Sequence, residues 1–352
     1  MRYIRLLKPP RIARHKTSHR HELRCLATLT SDLGDSFLPH DVQLSAELLL
    51  AHGHVLVWRT VQWTSGMRSL SIAIPLPQAL APSSLLRVRI GAEPHKLHDE
   101  YSALAEKDAC GVVSAWSAPF ALHAGAEKLV ERRFKLSDDS TLSIWEETGE
   151  SIARHLWDAG ITLACHVAHV KDANTELSRV LFPSRPTSPT ILELGTGCGI
   201  VGIALAQTLC HASVLLTDLP EAREIVQRNI DQASVAEGAS LKFLELDWDA
   251  ELPHQLQNPS RPLHLVLAAD CTYNADSSPA LVATLSRLTT SSPAATIAIA
   301  MKMRHSSEQV FFHLMADAGF VETAKLDFLL PGDVELGEET VHLHVYKKTV
   351  LT

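Results

Sequence analysis

The run Ile191-Leu192-Glu193-Leu194-Gly195-Thr196-Gly197-Cys198-Gly199-Ile200 sets an apolar strand, three alternating glycines and a helix start in immediate succession. Glycines let the backbone take conformations closed to residues with a Cβ, so the turn can approach a ligand closely. The helix that follows aims its unpaired N–H groups at that ligand. Such a turn serves NAD, FAD or S-adenosylmethionine, with a ligand-free βα turn as the plain structural alternative. Acids stand at the ends of the strands that follow. Leu216-Thr217-Asp218-Leu219 offers a carboxylate to both hydroxyls of a ribose, or a cap for the helix that Pro220 opens. Leu246-Asp247-Trp248 offers an acceptor for an adenine amine and an indole to pack on its ring, or a tryptophan that closes the core edge. The fourth strand runs into Ala268-Ala269-Asp270-Cys271-Thr272-Tyr273, where Asp270 and Tyr273 are three apart and able to face one pocket.

Spacing narrows the choice of ligand. The dinucleotide fingerprint is G-x-G-x-x-G, whereas here G-x-G-x-G follows Glu193 directly. The elements that must hold these residues alternate. Strands are expected at 190–193, 213–217, 241–246, 263–268 and 296–301, with helices at 201–208, 221–233, 278–288 and 308–318. Alternation means a parallel sheet covered on both faces, with ligands at the carboxyl ends of its strands. The last two strands, 321–329 and 341–347, follow one another without a helix, so one of them runs antiparallel to the rest. Arg304, just past the fifth strand, sits near the same rim.

The first part of the chain has a different grammar. Short strands rich in Val, Ile, Leu and Trp are expected at 23–29, 42–50, 55–63, 70–74, 85–90 and 112–122, with an insertion at 93–110. This pattern predicts a small β-sandwich, and Leu86–Ile90 with Ser114–Pro119 resembles the last two strands of a fibronectin type III module. Residues 1–21 are basic and carry Pro9-Pro10, which reads as a solvated arm, with an organellar transit peptide as the other reading. A polar bridge near Gly125 separates a domain at 1–124 from one at 125–352, the second opening with a hairpin (129–136, 141–146) and a helix over 149–170.

Composition excludes several classes. The 352 residues carry 32 Lys and Arg against 40 Asp and Glu, a formal charge of −8, so no global field draws the chain to nucleic acid. No apolar run reaches the ~18–20 residues of a membrane helix. The six cysteines (25, 110, 165, 198, 210 and 271) lack paired spacing and the nineteen histidines show no HExxH, so no metal is expected. Reduced thiols point to the cytoplasm, with the nucleus also accessible, and the chain is expected to act as a monomer.

Residues from about 129 to 348 resemble family 16 of the seven-β-strand methyltransferases, whose members mostly methylate lysines in proteins. The resemblance lies in the Glu193–Gly199 turn, Asp218-Leu219-Pro220, Asn229, Leu246-Asp247-Trp248 and above all Asp270-Cys-Thr-Tyr273, which matches that family's Asp-x-x-Tyr/Phe motif. Upstream, Thr148-Gly149 and Trp157-Asp158-Ala159 resemble the segment that folds over the cofactor's methionine end. The resemblance implies a Rossmann-like seven-stranded sheet with an antiparallel last strand. It implies S-adenosylmethionine bound along Trp157, Glu193, Gly195, Gly197, Gly199, Asp218, Leu219, Asp247, Trp248 and Ala269, with Asp270 and Tyr273 facing a lysine of a partner protein. Small-molecule N- or O-methylation shares the whole cofactor site, and a non-catalytic scaffold is the reading from another class. Adenine-N6 methylation falls behind, because Cys271-Thr272 stands where a base platform has Pro-Pro.

Overall fold

A computed structural model of the chain describes residues 1–14, 21–78, 80–106, 111–137, 140–148, 152–332 and 340–349. The chain divides into two units, Met1–His155 with Leu330–Glu338, and Leu156–Leu329 with Glu339–Thr352.

The N-terminal unit is built from β1 (Arg2–Arg14), β2 (His21–Thr30), β3 (Val42–Leu50), β4 (Val55–Trp63), β5 (Leu70–Pro75) and β6 (Leu85–Ala92). A single helical turn, α1 (Tyr101–Leu104), precedes β7 (Val112–Val113), β8 (Ala115–Ser117), β9 (Phe120–Ala121), β10 (Leu129–Ser137) and β11 (Ser140–Glu147). One sheet has the order β5-β2-β1-β7 and the other β11-β10-β8-β6-β3-β4, with β9 beside β6. Ile4, Leu6, Leu23 and Leu29 from the first share a core with Leu44, Leu48, Val88 and Ile90 from the second. Alternating apolar residues on two facing sheets produce this layering.

Three expectations need correction. The basic N-terminus is a strand and not a solvated arm. Tyr3, Ile4 and Leu6 are buried, while Arg5 turns outward enough to donate to the Asp32 carbonyl at 2.7 Å. Pro9-Pro10 falls inside a shift of the β1–β2 register between Lys8 and Arg11, where a missing amide costs no ladder bond. The stretch 112–122 is three short strands, because Ser114 leaves the ladder to donate its N–H to Asp99 at 2.8 Å and Pro119 lacks an N–H. The division between units lies beyond residue 147 and not at 124, since β10 pairs with β8 through Val130↔Ser117 and Glu131↔Trp116. The buried Arg132 guanidinium locks this hairpin in place, donating to the Ile4 carbonyl at 2.9 Å, the Ser114 carbonyl at 2.8 Å and Glu146 at 2.7 Å.

The C-terminal unit opens with α2 (Asp158–Val167) and α3 (Glu176–Leu181). The expected helix from residue 149 thus begins later; Gly149 lies outside the described residues, and Trp157 is extended (φ −118°, ψ 156°). There follow β12 (Thr190–Leu194), α4 (Ile200–Thr208), β13 (Ser213–Asp218), α5 (Arg223–Gln232), β14 (Ser240–Glu245), α6 (His254–Gln257), β15 (Leu265–Ala269) and α7 (Ser278–Ser291). The chain ends through β16 (Thr296–Met301), α8 (Val310–Asp317), β17 (Phe320–Leu329) and β18 (Thr340–Lys348). The sheet order is β14-β13-β12-β15-β16-β18-β17. β12 to β16 are parallel, and β18 runs antiparallel to β16. This is the Rossmann-like seven-stranded sheet that the sequence predicts. Succession reverses direction across β12, with β13 on one side and β15 on the other. That reversal opens a crevice at the carboxyl ends of the strands, the usual ligand position in an open α/β sheet.

Candidate functional site

The glycine turn between β12 and α4 has φ 58° at Gly195, 55° at Gly197 and 85° at Gly199, all in the left-handed region. Glu193 braces it from within the sheet. Its carboxylate accepts from Thr196 Oγ1 at 2.7 Å and from the Gly202 N–H at 2.9 Å. Only 2 % of the residue is exposed, and burial pushes its carboxyl up to about 8. A Cβ at Gly202 would fall 2.2 Å from Leu216 and 2.6 Å from Glu193, so α4 can lie this close to β12 and β13 only on a glycine. Asn229 on α5 donates to the Cys198 carbonyl at 2.8 Å and ties the turn to the next helix.

At the end of β13, Asp218 accepts from the Gly197 N–H at 2.7 Å and the Leu219 N–H at 2.8 Å. Burial raises its carboxyl pKa, which these two bonds partly offset. Each carboxylate oxygen has one such bond and retains a lone pair, the acceptor set that two vicinal hydroxyls need. Leu219 is exposed beside it. Past β14, Asp247 accepts from the Asp249 N–H at 2.9 Å and shapes the loop into a tight turn. Trp248 lies against the glycine turn, 3.2 Å from where a Cβ on Gly195 would stand. Glycine turn, Asp218, Asp247 and Trp248 therefore share the crevice rim.

The third group sits where β15 and β16 leave the sheet side by side, with Ala269 opposite Ala300 in the ladder. Asp270 takes the left-handed conformation at φ 54°. Its N–H donates to the Ala300 carbonyl at 2.8 Å. Its carboxylate accepts from the Ala159 N–H at 2.7 Å through Oδ2 and from Arg304 Nη1 at 2.7 Å through Oδ1. Lys302 pairs with the buried Asp158 at 2.6 Å. Trp157 and Tyr273 lie nearly parallel, 6.5 Å between ring centroids at an interplanar angle of 9°. The Arg304 guanidinium stands 5.7 Å from the Trp157 ring centre. Tyr273 is 51 % exposed, and desolvation raises its pKa.

The sequence-predicted site residues therefore stand on the turn, or at or just past a strand end, of one sheet, except Trp157, which immediately precedes α2. Sequence reasoning places Arg304 near the rim but misses its pairing with Asp270, and it misses Lys302 on Asp158 altogether. The available signal was the placement of Lys302 and Arg304 two residues apart immediately after β16. Among the described residues no cluster of three His, Cys, Asp or Glu could hold a metal ion.

A family model described as lysine methyltransferase matches residues 136–318, just over half of the chain. A UPF0665 family protein of Schizosaccharomyces pombe is 27 % identical over 318 residues, covering 88 % of this chain and 91 % of the relative. A similarity of that length runs through much of the N-terminal unit as well. EEF1A lysine methyltransferase 3 of Mus musculus is 32 % identical over 210 residues, covering 58 % of this chain and 77 % of the relative. Protein-lysine N-methyltransferase EFM6 of Saccharomyces cerevisiae is 31 % identical over 183 residues, covering 49 % and 73 % respectively. The acceptor set at Asp218 and the left-handed glycine turn fit the ribose and the close approach of S-adenosylmethionine, which is the methyl donor. Family match and sheet order agree: the chain belongs to the lysine methyltransferase family and is an S-adenosylmethionine-dependent enzyme.

Proposed function

We propose that the enzyme methylates the Nε atom of a lysine in a partner protein, with Asp270 and Tyr273 lining the acceptor position. The carrying observation is that Asp270 and Tyr273 follow β15, next to the glycine turn, with Trp157 stacked on Tyr273. When bound, S-adenosylmethionine supplies a methyl group already activated on a sulfonium. The chain's own task is to orient an amine in line, exclude water and hold the amine neutral. Asp218 takes the ribose hydroxyls, while Asp247 and Trp248 take the adenine edge and face. Asp270 holds α2 and Arg304 around the acceptor, and the Trp157 and Tyr273 rings wall its approach. A lysine amine has a pKa of ~10.4, so the pocket must lower it for transfer at neutral pH.

The same reading has the N-terminal sandwich select the partner, with the enzyme acting as a monomer in the cytoplasm and nucleus. The test uses tritiated S-adenosylmethionine and lysate from cells lacking the protein. The expected result is a labelled protein band whose methylated atom is assigned to lysine Nε by mass spectrometry. Label confined to metabolites would replace this reading with small-molecule methylation, and no cofactor binding would replace it with a scaffold.

A further inference from the structure

We infer that Arg304 sets the charge state of the acceptor: by neutralising Asp270, its guanidinium makes the pocket favour the neutral amine over the ammonium. This rests on the lysine reading above. A bare carboxylate beside an amine works against transfer, because it stabilises the protonated form whose nitrogen has no lone pair to offer. An opposite charge within about 4–6 Å raises an amine's pKa by roughly 1–3 units. Asp270 would impose that penalty if it stood alone, but it does not. Oδ1 is held by Arg304 Nη1 at 2.7 Å and Oδ2 by the Ala159 N–H at 2.7 Å.

The guanidinium is fixed from several sides. Nη1 also reaches the Lys302 carbonyl at 3.3 Å, and the cation stands over the Trp157 ring at 5.7 Å. The Arg304 N–H donates to Glu308 Oε1 at 3.0 Å and the His305 N–H to the same oxygen at 2.9 Å. The Arg304 and Asp270 side chains are 12 % and 2 % exposed, so solvent does little to screen them. Other charged or titratable groups surround this pocket from several elements, among them the Asp218 carboxylate at the β13 end, which adds to burial in pushing the Cys271 and Tyr273 pKa values up. From α2, Asp158 pairs with Lys302 of the β16 end at 2.6 Å. From the turn before α8, Glu308 receives the two backbone N–H groups, and His305 accepts from the Ser307 N–H at 3.1 Å. From the β15 end, burial raises the Cys271 thiol and desolvation the Tyr273 phenol, so both stay neutral near pH 7. An amine brought to the Asp270–Tyr273 edge therefore meets a carboxylate already closed by a fixed cation.

The transfer itself is balanced without a further reactant. The amine lone pair forms the new N–C bond, the C–S bond breaks with its electron pair remaining on sulfur, and the methylated ammonium later releases a proton to water.

The experiment measures initial labelling rates against pH in the full-length protein. The probe is tritiated S-adenosylmethionine, with lysate from cells lacking the protein as acceptor, read on the principal band labelled by wild type. Arg304→Gln should move the rate profile up by about 1–2 pH units, with its roughly tenfold or larger deficit near pH 7 narrowing as pH rises. Arg304→Lys keeps a cation and should hold the midpoint near wild type. The double variant Arg304→Gln with Asp270→Asn removes both charges and should also keep the wild-type midpoint, whatever its rate. Cofactor affinity by calorimetry should stay unchanged in Arg304→Gln and Arg304→Lys. A deficit in Arg304→Gln that is constant at every pH, or an upward shift in Arg304→Lys or in the double variant, would overturn the inference alone. If wild type labels no protein, the lysine reading falls and this inference falls with it.

Discussion

Oδ2 of Asp270 accepts a hydrogen bond from the Ala159 N–H at 2.7 Å, joining positions 111 residues apart. Ala159 is the second residue of α2, so the carboxylate meets a helix amino end whose N–H groups lack intrahelical partners. The same carboxylate holds Arg304. Asp270 thereby fixes a helix start and a strand end at once.

Asp270→Asn should therefore unsettle the fold as well as the reaction. It leaves the nearly buried Arg304 cation without its anion, which should lower unfolding stability by about 3 kcal/mol in urea titration. Activity lost with no loss of stability would mean that the carboxylate acts on the acceptor and not on the scaffold.

Asp218→Ala should weaken S-adenosylmethionine binding by ~1.5–3 kcal/mol, through loss of charge-assisted bonds to the ribose. It also releases the Gly197 N–H, so the turn loosens in the same variant. Calorimetry on the folded variant decides it, and an unchanged dissociation constant would remove Asp218 from the cofactor set.

Glu193 predicts a pH dependence of stability. Its folded pKa is about 8, against ~4.3 for an unfolded glutamate. Between those values the folded chain keeps a proton that the unfolded chain has released. The stability contribution is full below the lower value and falls as pH rises toward the higher one, by up to about 1.4 kcal/mol per pH unit. Asp218, also raised, adds to the fall. Glu193→Gln keeps an acceptor for Thr196 and Gly202 but cannot titrate. Urea midpoints compared at about pH 5.5 and pH 8.5 should show a flatter profile in the variant, and parallel profiles would contradict the assignment.

The strand pairing of β10 predicts where the chain can be cut. A fragment beginning at Gly125 keeps the β10–β11 hairpin without its sheet, uncovering Val130, Phe134, Leu142 and Ile144, all fully buried in the whole chain. That fragment should aggregate, whereas one beginning at Leu156 should stay in solution and bind cofactor. Light scattering separates the two, and equal solubility would argue for a boundary near residue 125.

Local chemistry made much of this site readable in the sequence. Gly195, Gly197 and Gly199 announce a turn because few other residues accept positive φ. The strand ends carrying Asp218 and Asp270 follow from alternating β and α segments. Arg304 on Asp270, Lys302 on Asp158 and Arg132 on Glu146 were not readable, because each pairing depends on which strands become neighbours. The strand β1 was hidden for a related reason: its basic residues and Pro9-Pro10 disguise an alternation that only pairing with β2 makes evident. The hairpin of 129–136 with 141–146 is legible as a hairpin, but nothing local says which sheet receives it.

The tie between residues 158–159, 270 and 302–304 also sets a schedule for synthesis. A nascent chain emerging as far as residue 300 already holds its glycine turn and Asp218, yet lacks both cations and the antiparallel strand β18 that flanks β16. The two halves of this strand-end rim are therefore completed at different moments of synthesis, the glycine turn and Asp218 before the cations that close Asp158 and Asp270.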